Sequence, residues 1–128
     1  MEYILKVKLN CMIFYRHTAA RKVLYTMVKI ISDSTSDLSK ELIDEYGICI
    51  MPLHILLGDE EYDDGVNITP DEIYKWADEN KTTPKTSAVS VDVAENAFKM
   101  ALDEGCDVVA FAISEDMSTT ANVMRLAA

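Results

Sequence analysis

The chain has 128 residues, 49% hydrophobic and 27% charged, enough apolar material for one domain with its own core and a composition that excludes disorder. Its net charge of -10 excludes nucleic acid or an anionic membrane surface as the main partner. No run approaches the roughly 20 apolar residues of a spanning helix, so stable membrane insertion is not expected.

The charge is unevenly placed, with +4 on residues 1–26 and -14 on the rest. That break, just before Met27, marks 1–26 as an atypical basic leader outside the folding unit. Lys6, Lys8, Asn10 and Arg16 interrupt any signal-peptide core. A start codon mistaken upstream of Met27 accounts for the leader, with a genuine extra strand from Tyr3 to Leu9 as the alternative. Residues 27–128 form the domain. Cys11, Cys49 and Cys106 have no paired spacing and read as reduced thiols of a cytoplasmic protein.

From Met27 onward strand and helix signals alternate. Val28–Ile31 is a short apolar strand. Ser36 or Asp37 can cap the next helix, whose Leu38, Leu42, Ile43 and Tyr46 share a face, and Gly47 ends it. Ile48–Met51 is a second strand, interrupted by Pro52, and Leu53–Leu57 continues extended. Residues 58–67 read as a solvated acidic loop.

Thr69-Pro-Asp-Glu72 is a strong helix start, with Thr69 as cap, Pro70 in the first turn and Glu72 completing a capping box. The helix fails at Asn80, and Lys81–Ser90 reads as a loop. Ser90 caps a third helix packing through Ala94, Ala97, Phe98, Ala101 and Leu102, closed by Gly105. Val108–Ile113 is apolar enough for burial on both faces. Ser118 caps a last helix that runs to Ala128 without a stop signal. The predicted fold is α/β, a three-layer parallel sheet flanked by helices, incomplete at its C-terminal end.

Right-handed connections bring the carboxyl ends of parallel strands to one side. Three polar turns, Ser32–Asp37, Thr82–Ser90 and Ser114–Thr120, should therefore converge. Hydroxyls and helix N-termini suit a carboxylate or phosphate. Serines before helices are usually caps alone. Thr86 has no helix after it and so needs another partner.

Several chemistries lack their residues. There is no GxGxxG or glycine-rich phosphate loop, no nucleophile elbow and no zinc spacing. His54, the only histidine outside the leader, reads as half-buried and hydrogen-bonded. One enzymatic alternative is Mg²⁺-dependent phosphoryl transfer at Asp33, aided by Asp37 and Asp63-Asp64. A truncated product without its own function is another.

Ile31-Ser-Asp-Ser-Thr-Ser-Asp-Leu-Ser39, Met51-Pro-Leu53, Asp64-Gly-Val-Asn-Ile-Thr-Pro70, Lys85-Thr-Ser87 and Ser114…Met117-Ser118 occur in order. This resembles the N-terminal part of a DegV-family protein, the fatty-acid-binding subunit of bacterial fatty acid kinase. The resemblance covers Met27 to Ala128 and implies a second domain that closes over the ligand. It implies lipid binding without catalysis, cofactor or metal. A long-chain fatty acid is presented to the separate kinase catalytic subunit, its carboxylate held by Thr86 and Ser118. Asp33, Ser34, Thr35, Ser87 and Thr119 are the further pocket candidates. Where the family has SSxLSGT, this chain has Ser114-Glu-Asp-Met-Ser-Thr-Thr120. Glu115 and Asp116 would repel a carboxylate unless they turn to solvent.

Overall fold

A computed structural model describes residues 27–128, together with the backbone of 8–9 and 12–15. In chain order the strands are β1 (Lys8–Leu9), β2 (Met12–Tyr15), β3 (Val28–Asp33), β4 (Cys49–Met51), β5 (His54–Leu57), β6 (Glu60–Asp63), β7 (Lys85–Ser87) and β8 (Asp107–Phe111). The helices are α1 (Lys40–Tyr46), α2 (Pro70–Asn80), α3 (Val91–Asp103) and α4 (Thr120–Ala127). Cys11, His17 and the Tyr3–Val7 part of the alternative strand lie outside the described residues.

The larger sheet has the order β1-β2-β8-β3-β4. Its β8, β3 and β4 are parallel, and β2 runs antiparallel beside β8, so residues 12–15 of the basic leader pair with the sheet instead of lying outside the folding unit as the charge break predicted. The chain leaves β3 for β4 on one side and later returns to β8 on the other. Right-handed crossovers in opposite directions place α1 and α3 on opposite faces. The main core lies on the α3 and α4 side. Ala94, Ala97, Phe98 and Ala101 of α3 pack with Met124 of α4 over Ile31, Met51, Val108 and Ala110. Leu102, expected on this packing face, lies at its edge and is exposed.

The second face is thinly covered, because α1 buries none of its residues. Val109 is accordingly only half-buried and Phe111 is exposed, so β8 is not enclosed on both faces as its apolar run predicted. The start of α1 also differs from expectation. Ser34–Ser36 form a 3-10 turn, and Asp37 follows in the left-handed region at φ 48°. A helix cannot run through that conformation, so α1 begins at Lys40, with Ser39 Oγ accepting the Leu42 N–H at 3.4 Å. Leu42 and Tyr46 face solvent.

Two segments read as loops are strands of a second, antiparallel sheet ordered β6-β5-β7. Both are edge strands with polar sequences, so neither carries an apolar period. Ile55, Leu57 and Ile68 are buried against Tyr62, Ile73 and Trp76, which gives this sheet a core of its own with α2. The caps of α2 and α3 are as the sequence predicts, whereas Thr119 and not Ser118 holds the cap position of α4. Thr69 and Glu72 form the capping box, and Thr69 holds the Glu72 carboxyl below its usual range. Ser90 Oγ accepts the Val93 N–H at 3.3 Å. Gly105, at φ 78°, closes α3 with paired bonds from Gly105 N–H to Leu102 O and Cys106 N–H to Ala101 O.

Cys49 and Cys106 are free and half-buried, and burial pushes the Cys49 thiol up, away from a reactive thiolate. Among the described residues no helix is long and apolar enough to cross a membrane.

Candidate ligand-binding cleft

The connection reverses direction between β3 and β8, and an open α/β sheet has its crevice at the carboxyl ends of such a pair. Asp33, the last residue of β3 and almost fully buried, spans that point. Its Oδ2 accepts the Ile113 N–H at 2.9 Å, and its Oδ1 accepts the Thr35 hydroxyl at 2.5 Å. Ser34 Oγ accepts the Leu53 N–H at 3.1 Å, tying the same turn to the entrance of β5. Both side chains are bracing groups, and neither lines the cleft.

The cleft holds about 660 Å³, within the range of small-molecule sites. It is lined by Thr35 from the first polar turn, Thr86–Ala88 from the second, and Glu115–Thr119 from the third. The three turns thus meet at one place. Of the candidate residues, Thr35, Thr86, Ser87, Ser118 and Thr119 are brought together there. Leu53, Ile55, Ile113 and Met117 supply an apolar lining that the hydroxyl-centred sequence reading did not name.

Thr86 occupies the middle of β7 directly opposite Ile55. Opposed residues of an antiparallel pair share a face, so the hydroxyl and the Ile55 side chain border the cleft together. Ser118 is set by a tight turn. The Ser114 carbonyl accepts the N–H groups of Met117 at 2.9 Å and Ser118 at 3.1 Å, and Met117 is left 75% exposed at the mouth.

Thr119 is the residue before α4, but its side chain makes no cap bond. Ser118 Oγ instead accepts the Thr120 N–H at 3.2 Å and lies 3.0 Å from Thr120 Oγ1. Thr120 is fully buried. When the Thr120 hydroxyl donates to Ser118, the Ser118 proton is left to point into the cleft. The positive end of the α4 dipole adds to that donor. Capping and ligand binding are therefore compatible in one serine.

Glu115 and Asp116 are exposed, yet both line the cleft, so their charge still borders a bound anion. Glu115 is ion-paired with Arg125 of α4, which also donates to Asn122 Oδ1 at 2.5 Å.

The groups invoked for metal chemistry are dispersed. Asp37 is exposed in its turn, and Asp63 Oδ1 lies 2.9 Å from His54 Nδ1. Of the Asp63-Asp64 pair only Asp64 reaches the cleft. His54 is half-buried and hydrogen-bonded, outside the cleft. Among the described residues no group of three or more His, Cys, Asp or Glu is arranged to hold a metal ion.

The family profile described as "Uncharacterised protein, DegV family" matches residues 27–128. A DegV domain-containing protein of Clostridium perfringens is 41% identical over 93 residues, 73% of this chain and 33% of that protein. A stearic acid-binding protein from Eubacterium ventriosum has a solved structure that matches with a TM-score of 0.75 and 40% identity, over 79% of this chain and 35% of that one. A DegV family protein from Thermus thermophilus, described as binding fatty acid, matches with a TM-score of 0.73 and 33% identity, over 80% and 36% of the two chains. The chain spans about a third of the length of the relatives it matches. By the extent of the profile match and by the fold these relatives share, the chain belongs to the DegV family.

Proposed function

We propose that the chain binds a long-chain fatty acid, with the carboxylate on Thr86 and Ser118, and presents it to a separate kinase without catalysing the transfer itself. One observation carries the reading. Hydroxyls from two different sheets, Thr86 of β7 and Ser118 of the connection after β8, border a single cleft that Leu53, Ile55, Ile113 and Met117 also line. A carboxylate there gains two hydroxyl donors and a helix N-terminus without a buried counter-charge. An acyl chain gains contact with Leu53, Ile55, Ile113 and Met117. The fatty-acid binding described for the Eubacterium ventriosum and Thermus thermophilus relatives supports the same ligand class.

The exposed Met117 beside Ser118 keeps the carboxylate end near solvent, where a partner enzyme can reach it. This chain has no glycine-rich phosphate loop of its own, in keeping with ATP chemistry on the partner, and we place both in the cytoplasm.

Native mass spectrometry with lipid extraction tests the reading. The purified protein should carry a fatty acid at near-unit stoichiometry. Thr86→Ala with Ser118→Ala should abolish retention while circular dichroism stays unchanged. Retention by that double variant would overturn the carboxylate assignment.

A further inference from the structure

The charges around the cleft raise a difficulty for any anionic ligand. Among the described residues its charged lining is Asp64, Glu115 and Asp116, with no lysine or arginine. Two hydroxyls and a helix end are modest attractions beside that much negative charge. The cation joined to this wall is Arg125, through Glu115. Its side chain is 23% exposed, against 42% for Glu115, so the pair sits in a partly screened position where charge still counts. Arg125 lies on α4, the helix whose first turn Ser118 caps, and its bond to Asn122 fixes it along that helix.

We propose that Arg125 is an electrostatic positioning residue of the cleft. By pairing with Glu115 it holds that carboxylate toward α4 and cancels its charge, so that an acyl carboxylate can occupy the Thr86–Ser118 end. The inference rests on the fatty-acid reading and adds a residue that touches no ligand atom. It also explains how this chain accommodates an acidic residue in the turn that carries Ser118. The Glu115 charge is answered from the same helix.

The test compares oleate with oleyl alcohol, which share the tail and differ in charge, by equilibrium partition of the radiolabelled compounds. Arg125→Met should weaken oleate binding about fivefold, the effect of one uncompensated charge at partly screened range, and leave the alcohol unchanged. Glu115→Gln should bind oleate at least as well as the parent chain. Glu115→Gln combined with Arg125→Met should restore parental oleate affinity.

Equal loss of acid and alcohol would make Arg125 mere scaffolding and overturn the proposal. A loss that the double variant does not repair would mean that Arg125 meets the carboxylate itself, which also overturns it. If the parent chain binds oleate and all variants match it, only this inference falls. If the parent chain binds neither compound, the fatty-acid reading fails first and takes this inference with it.

Discussion

Asp33 is the residue on which the cleft's construction turns. It is buried, yet both carboxylate oxygens are occupied, by a backbone N–H across the sheet and by a hydroxyl two residues on. Asp33→Ala would leave the Ile113 N–H and the Thr35 hydroxyl without their acceptors. Urea denaturation should show a loss of about 2 kcal/mol. Asp33→Asn keeps one acceptor oxygen and should lose about half as much. From sequence, a strand-terminal aspartate beside hydroxyls reads equally well as a pocket group, a metal ligand or a brace. What separates these readings is the partner, Ile113, and nothing local announces a bond to a residue so far along the chain. That Thr86 and Ser118 would border the cleft was legible, because a polar segment with no helix to cap, or one at a helix start in the same crevice, has few places to go.

At the scale of elements, punctuation proved more informative than polarity. Thr69, Ser90 and Gly105 bound their helices as predicted, because each satisfies end groups that a helix must satisfy somehow. Ser90→Ala should reduce stability by about 1 kcal/mol in urea titration, since α3 supplies much of the main core and its cap acts locally. The second sheet was not legible from β6 or β7, whose residues, Tyr62 apart, are charged or hydroxylic. A trace of it exists in β5. There His54 and Leu56 are half-buried while Ile55 and Leu57 are buried, a two-residue period that fits a sheet with one covered face. The enclosed central strand predicted at Val108–Ile113 failed for the opposite reason. An apolar run reports what a strand can tolerate, and the thin cover given by α1 decides what it receives.

For the whole molecule, charge is the property with the most direct functional reach. A chain of net charge -10 with an acid-lined cleft should repel an anionic ligand, and salt should relieve that repulsion. Oleate affinity, corrected by the oleyl alcohol control for salting-out of the tail, should rise about twofold between 20 mM and 200 mM sodium chloride, as the screening length shortens from about 20 Å to below 10 Å. A falling affinity over that range would indicate a net attractive site. The two-sheet layout was predicted only in its larger half. Handedness predicted the meeting of the turns after β3 and β8, whereas the Thr86 segment reaches the same cleft through the pairing of β7 with β5.

The bond from Ile113 to Asp33 joins residues 80 positions apart. A contact of that span forms only after the long intervening segment has been closed, so local helices should precede it on the folding route. The cleft walls that depend on it should then come into register late, and partly folded chains should have no site to offer. A ligand taken up there would bind the native state alone and shift the folding equilibrium by mass action, by about 2.7 kcal/mol at a hundredfold excess over its dissociation constant. Occupancy and foldedness would then rise together, and the cell's supply of ligand would help to set how much of the chain escapes degradation.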